Sequence, residues 1–104
     1  MYVQRVSFYP ALGKVFELRA VLQDRVKARQ AQGLQIGLQE HIASSADGAL
    51  FTIVIRHTSL ADLEQLRHRN LTDESFRAFA AKVSSLSSKQ PTTELSEVLV
   101  PLPR

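Results

Sequence analysis

The segment from Ala49 to His57, ALFTIVIRH, is the most apolar stretch of the chain and restricts its fold most. Successive side chains of a strand point to opposite sides. One side would carry Phe51, Ile53, Ile55 and His57, and the other would carry Leu50, Thr52, Val54 and Arg56. A strand that is apolar on both sides is covered on both sides, so we predict that it lies in the middle of a sheet.

Before this strand, the spacing of apolar residues predicts a strand, a helix and a second strand. Tyr2–Tyr9 is rich in β-branched and aromatic residues, and Pro10 ends it. The spacing of apolar residues in 11–32 predicts a long helix that ends at Gly33. Its apolar stripe consists of Leu12, Val15, Phe16, Leu22 and Val26. Arg19 falls inside this stripe, and Leu18 lies at its edge. In the segment Leu34–Ile42, the apolar residues Leu34, Ile36, Leu38 and Ile42 share one side of a predicted strand, and the loop Ser44–Gly48 would close a hairpin.

After the central strand, two N-cap signals predict a broken helix. Ser59 with Asp62 three residues later forms a capping box, and Thr72 precedes a second helical segment. Apolar residues at helical spacing follow each cap: Leu60, Leu63 and Leu66, then Phe76, Phe79, Ala80, Val83 and Leu86. Thr92–Val100 predicts a last strand.

The resulting order, β-α-β-β-α-β, is that of the ferredoxin-like α+β fold. We therefore predict a four-stranded antiparallel sheet with its helices on one face, and one domain over residues 1–104. The other face would expose a mixed apolar patch of Val3, Tyr9, Leu50, Val54, Val98 and Val100. So broad a patch is unusual on a monomer, and we predict a homodimer with the two sheets face to face.

Composition narrows the range of partners and cofactors. The net charge of +3 is spread along the chain, and its tightest cluster, Arg67-His68-Arg69, is typical of a solvated helix, so no nucleic-acid partner is expected. No apolar run reaches the roughly 20 residues that span a bilayer, and no signal-peptide pattern opens the chain, so we expect a cytoplasmic protein without a membrane partner. Cysteine is absent, and the three histidines lack metal-pair spacing, so no metal or other cofactor is expected.

Three segments carry a resemblance to a known superfamily: the entry Pro10-Ala-Leu-Gly13-Lys14, the strand Phe51–Ile55, and HTSLADLEQL from His57 to Leu66. With SFRAF at Ser75–Phe79, the chain resembles the dimeric α+β barrels, closest to antibiotic-biosynthesis-monooxygenase-like members, with NIPSNAP-like domains as cousins. The resemblance implies a small-molecule cavity between sheet and helices. Some members oxidise polycyclic aromatic substrates with molecular oxygen and no cofactor, and others degrade haem.

The resemblance also bears on particular positions. Many members end the third strand with an aromatic residue, often Trp, where this chain has His57. The haem-degrading branch uses an asparagine on the first strand and a histidine on the last helix. The corresponding positions here are Val6 or Ser7 and the neighbourhood of Ala80, so haem degradation is disfavoured, and haem binding stays a third alternative.

His57 is the candidate catalytic residue, since an imidazole near neutral pKa can take or give a proton. Its alternative role is a strand-end histidine that is hydrogen-bonded to the backbone or water. Arg19 could anchor an anionic or phenolate oxygen; alternatively, its head could extend to water at the rim or pair with an acid of the second helix. Tyr2, Phe8, Phe51 and Ile55 are the candidate substrate-binding residues. The predicted function is a cofactor-independent monooxygenase for a small aromatic substrate; the alternative is a non-catalytic homodimeric module for ligand binding or assembly.

Overall fold

A computed structural model describes residues 1–43 and 48–103. The first four residues of the predicted hairpin loop lie outside this range. The elements are β1 (Tyr2–Phe8), α1 (Val15–Ala31), β2 (Ile36–Glu40), β3 (Phe51–His57), α2 (Leu60–Thr72), α3 (Glu74–Ser85) and β4 (Thr92–Glu97). The strands form one antiparallel sheet in the order β2-β3-β1-β4, which confirms the ferredoxin-like α+β fold and the inner position of β3.

The strand register decides which side chains lie beneath the helices. Tyr2 pairs with His57 and Phe8 with Phe51 across β1 and β3, while Ile36 of β2 pairs with Ile55. Residues directly opposite each other in an antiparallel pair share a face. The helix-covered face therefore carries the even-numbered residues of β1 and the odd-numbered residues of β3.

The core forms where α1 crosses this face. Leu18 and Leu22 are 0% exposed and Phe51 is 1% exposed, and Val26 continues the same stripe. The predicted stripe was therefore wrongly centred, because Leu18 lies at its middle and not at its edge. Leu12 and Phe16, which were predicted to be part of it, are 102% and 78% exposed.

Helix α1 begins at Val15 and not at Ala11 as predicted. Ala11–Lys14 form a turn in which the Lys14 amide donates to the Ala11 carbonyl at 3.0 Å. Gly13 has a φ of +77°, which a right-handed helix cannot contain. The Ala11 amide donates instead to the Leu86 carbonyl at 2.9 Å, so this turn is joined to the end of α3.

One of the two predicted helix caps is confirmed, and the other is displaced by one residue. The Ser59 hydroxyl accepts from the Asp62 amide at 3.2 Å, as predicted. The cap of α3 is Asp73, whose Oδ1 accepts from the Ser75 amide at 2.9 Å. Thr72 is instead the last residue of α2, and its hydroxyl donates back to carbonyls of that helix.

The outer strands are shorter than predicted, and the open face is more polar. β2 and β4 end before Ile42 and Val98, and every residue of β4 is exposed. Four of the predicted patch residues do not form an open-face apolar patch: Tyr9 is 3% exposed, Leu50 packs against the core, and Val98 and Val100 follow β4. Val3 and Val54 remain there, between the polar residues Arg5, Ser7, Thr52 and Gln39.

Within residues 1–43 and 48–103, no helix combines the length and the apolar character needed to cross a lipid bilayer.

Candidate functional site

A cavity of about 630 Å³ lies between the sheet and all three helices. The sheet forms its floor with side chains of the helix-covered face, namely Val6, Phe8, Ile36, Ile53 and Ile55. The helices contribute Leu66, Phe76, Phe79, Ala80 and Val83. The rings of Phe76 and Phe79 are 6.4 Å apart at an interplanar angle of 44°, so an aromatic wall stands opposite an aliphatic floor.

The charged side chains of the lining are all basic among the described residues. Arg25 and Arg29 enter from α1 and Arg67 from α2, while Lys89 lies near Ser87 and Ser88 on the connection to β4. No aspartate, glutamate or histidine belongs to the lining among the described residues. The cavity therefore combines apolar walls with an excess of positive charge. This arrangement suits a small molecule that has an apolar part and a polar part complementary to positive charge.

Arg29 is held by acceptors close to the break between α2 and α3. Its guanidinium donates to Asp73 Oδ2 at 3.3 Å and to Asn70 Oδ1 at 3.4 Å, and its side chain is 13% exposed. Asp73 thus caps α3 and also neutralises Arg29. The hydroxyl and amide of Ser75 and the charge of Arg29 hold the pKa of Asp73 below its ordinary value, although some desolvation opposes this effect.

Arg25 lies one helical turn before Arg29 and has weaker partners. Its Nη1 donates to the Ser75 hydroxyl at 3.3 Å, and its guanidinium lies over the rings of Phe76 and Phe79 at 5.6 and 5.1 Å. Burial lowers the pKa of Arg25, the positive charge of Arg29 lowers it further, and Asp73 partly offsets both effects. Its charge is therefore less well compensated than that of Arg29.

His57 lies at the end of β3, next to the cavity but outside its lining. It is 3% exposed, and its Nε2 lies 3.1 Å from Oε1 of Gln4, which does line the cavity. Burial lowers the pKa of His57 below its ordinary 6.5, while the nearby Asp62 raises it in part. The neutral imidazole, with its Nε2–H donating to Gln4, is thus the favoured form.

The other predicted site residues are not all brought together. Phe8 and Ile55 line the cavity, whereas Phe51 belongs to the filled core and Tyr2 lies half-buried opposite His57. Arg19 is also outside the lining. Its Nη2 is 2.7 Å from Glu40 Oε1, and its guanidinium lies over Phe16 and Phe51.

Two cavity residues that the sequence interpretation missed could have been found from helical spacing. Arg25 follows the buried Leu22 by three positions, and Arg29 follows the buried Val26 by three. Residues at this spacing lie on one face of a helix. A stripe centred on Leu18 and Leu22 would have drawn attention to this pair of arginines.

Metal ligation has no cluster to support it in the part of the chain that the structure describes. No group of three or more His, Asp or Glu side chains there is arranged to hold a metal ion. The predicted position near Ala80, where the haem-degrading branch has its histidine, is an alanine that lines the cavity.

Comparison with known proteins gives a fold relationship. No protein-family model matches the sequence, and no curated protein matches it. Among solved structures, an antibiotic biosynthesis monooxygenase has a TM-score of 0.69 at 14% identity, covering 97% of this chain and 100% of that one. An uncharacterised NIPSNAP domain protein from Burkholderia xenovorans has a TM-score of 0.71 at 17% identity, covering 97% and 99%.

A further solved structure is relevant to assembly. It is a dimeric ferredoxin-like protein of unknown function from Jannaschia sp. CCS1, with a TM-score of 0.60 at 11% identity, covering 93% of this chain and 98% of that one. Identities this low establish a common fold, but they do not establish a common chemistry. The resemblance seen in the sequence is therefore confirmed at that level: the chain has the fold of the antibiotic-biosynthesis-monooxygenase-like and NIPSNAP domain proteins.

Proposed function

We propose that the chain binds a small aromatic molecule between its sheet and its helices. The cavity itself carries this proposal, because its volume of about 630 Å³ is typical of small-molecule sites. A planar ring could lie between the aliphatic floor at Ile53 and Ile55 and the rings of Phe76 and Phe79. Aromatic rings in such contact gain about 0.5–1.5 kcal/mol beyond the area they bury.

Calorimetric titration with 2-naphthol, which is neutral at pH 7, tests this proposal. We expect saturable binding to the unaltered protein. Ala80→Trp should weaken that binding by about tenfold or more, because the indole would occupy the cavity that Ala80 lines. Ala78→Trp is the matched control, since Ala78 is exposed on the same helix and does not line the cavity. Failure of the unaltered protein to bind, or unchanged binding by Ala80→Trp, would contradict the proposal.

A second candidate function is oxidation of the bound molecule by molecular oxygen without a cofactor. The surroundings of His57 favour it, because a buried neutral imidazole can accept a proton and Gln4 links it to the cavity. In such a reaction the ring CH₂ in the keto tautomer of a polycyclic phenol becomes a carbonyl. One oxygen atom enters the product and the other leaves as water with the two hydrogens, so no external reductant is needed. Because Nε2 carries the proton in the favoured tautomer, that proton would first have to move to Nδ1, and Gln4 would have to turn aside, before Nε2 could accept a proton from the substrate.

Oxygen uptake with polycyclic phenols that bind the cavity tests the second candidate. His57→Gln should lower the rate by about 10²-fold or more if His57 transfers the proton. His68→Gln should leave it unchanged, because His68 is exposed on α2. Ligand binding without oxygen uptake would instead support the non-catalytic module.

We also propose that two copies associate through the open sheet faces. Val3 and Val54 offer apolar contacts there, and a hydrogen-bonded row connects Ser7, Thr52 and His41 at 3.3 and 2.8 Å. A solved structure with the same fold is dimeric, which supports the association of two copies. Light scattering after gel filtration should give twice the chain mass, and Val54→Asp should halve it. A monomer at micromolar concentration would contradict the proposal.

A further inference from the structure

Arg25 differs from the other half-buried arginines in what surrounds its charge. Arg19 and Arg29 each form an ion pair, with Glu40 at 2.7 Å and Asp73 at 3.3 Å. Arg25 forms no ion pair with a carboxylate in residues 1–43 and 48–103. A single hydroxyl, that of Ser75, and two aromatic rings are the contacts of its guanidinium.

The charges around the cavity do not balance this guanidinium. Arg25 and Arg29 lie on one face of α1, one turn apart, and share Asp73 as their nearby acid. Arg67 lines the cavity with much of its side chain exposed and is paired with Glu64 at 3.6 Å, and Lys89 lies over the ring of Tyr9. With no acidic residue in the described lining, one positive charge at the Arg25 end remains without a counter-charge.

The position of Arg25 is equally informative. The Phe76 and Phe79 rings that flank its guanidinium also form the aromatic wall of the cavity. A ligand ring against that wall would carry its substituents within reach of the guanidinium. The planar donor fork of arginine matches a carboxylate through two parallel hydrogen bonds.

We propose that the cavity is selective for aromatic carboxylates and that Arg25 is the residue that binds the carboxylate. This inference rests on the proposed binding of an aromatic molecule and names the chemical class of that molecule. The carboxylate would supply the counter-charge that Arg25 lacks, while the ring would bury its faces against the phenylalanines and the sheet.

A matched pair of probes separates the charge from the ring. We expect 2-naphthoate to bind the unaltered protein at least about tenfold more tightly than 2-naphthamide, its neutral counterpart, by calorimetry. Arg25→Gln should remove this preference while 2-naphthamide binding persists. Arg25→Lys, which keeps the charge but not the fork, should retain part of it.

Two further variants exclude general charge effects. Arg77→Gln removes an exposed arginine of α3 outside the cavity lining and should leave the preference for 2-naphthoate intact. Arg19→Gln tests the anchor predicted from sequence, and loss of the preference there would overturn the assignment to Arg25. Circular dichroism of each variant checks that the fold is retained, and Arg25→Lys provides the test if Arg25→Gln does not fold.

The outcomes distinguish the inference from the function beneath it. Equal binding of 2-naphthoate and 2-naphthamide would overturn the role of Arg25 and leave the aromatic site standing. Absence of binding by both probes would overturn the two together. Persistence of the preference in both Arg25→Gln and Arg25→Lys would assign the carboxylate to another residue and overturn the inference.

Discussion

The buried face of α1 meets two different environments along its length. In its first half, Leu18 and Leu22 pack against Phe51 with essentially no exposed surface. In its second half, Arg25 and Arg29 continue the same face along the wall of an open cavity. Leu22 and Arg25 are one turn apart, yet one fills space and the other borders it. Although Val26 of the second half also belongs to the core, the residues that fill the core and those that line the cavity differ along one helix, so substitutions should separate stability from ligand binding.

The largest effect on the free energy of unfolding should come from a substitution in the first half of α1, whose residues pack against the core. We expect Leu22→Ala to lower the free energy of unfolding by about 2–5 kcal/mol, because it removes buried methyl groups and leaves a cavity. Phe79→Leu, in the cavity wall, should cost less than about 1.5 kcal/mol and should weaken 2-naphthol binding. Urea unfolding followed by circular dichroism measures both. A cost for Phe79→Leu equal to that of Leu22→Ala would mean that the two halves do not differ.

The next effect concerns Asp73, which connects the second half of α1 to α3 because it caps α3 and pairs with Arg29. Asp73→Ala should cost about 1–2 kcal/mol, because it removes the N-cap of α3. Arg29 also loses its ion pair. Ser59→Ala removes only the cap of α2 and should cost about 1 kcal/mol or less. Thermal and urea unfolding of the two variants provide the comparison, and an Asp73→Ala variant as stable as the unaltered protein would show that this junction is unimportant.

A milder change at the same position should strengthen the binding of a carboxylate ligand. Asp73→Asn keeps a capping oxygen but removes the negative charge shared by Arg25 and Arg29. We expect 2-naphthoate to bind about two- to fivefold more tightly, with 2-naphthamide unaffected. Calorimetry at low salt measures the change. An equal change for both probes would point to altered shape and not to charge.

The smallest effect is confined to a pH window and concerns His57. Since burial lowers its pKa in the folded state, the unfolded chain binds the proton more readily. The contribution of His57 to the free energy of unfolding should therefore be complete above its ordinary pKa of 6.5. It should be lost as the pH drops through the lower pKa of the folded state. His57→Gln should flatten this decline in urea unfolding series, whereas His68→Gln should retain it. An unchanged decline in His57→Gln would assign it to other groups.

The sequence predicted the order of the elements because the relevant signals are local. The apolar run of β3 and the cap at Ser59 act over a few residues, and both are found where expected. The start of α1 was wrong because apolar spacing continues through Leu12 while the backbone turns at Gly13. Because the predicted stripe included Leu12 and Phe16, Arg19 was predicted to lie on the buried face, and Arg25 was not identified as a candidate.

The family resemblance implied a cavity, but the spacing of residues alone could not predict its lining, because the lining depends on distances between elements. Spacing along α3 marks Phe76 and Phe79 as apolar, but it does not say whether they touch the sheet or border a space. Similarly, the counter-charge of an arginine is a three-dimensional property: Arg19 meets Glu40, which is 21 positions away, and Arg25 meets no comparable acid in the described chain. Periodicity identifies the face of a helix, and only packing decides what that face meets.

The exposed strand β4 has a consequence for aggregation. An edge strand presents unpaired backbone groups that can recruit a strand from another molecule. Here the edge is six residues long and carries Glu94 and Glu97, and Pro91 directly precedes it. A second molecule adding in register would bring like charges together, and proline cannot donate the hydrogen bond that would extend the ladder. The same polar residues that leave β4 outside the core thus protect the chain against growth into fibres.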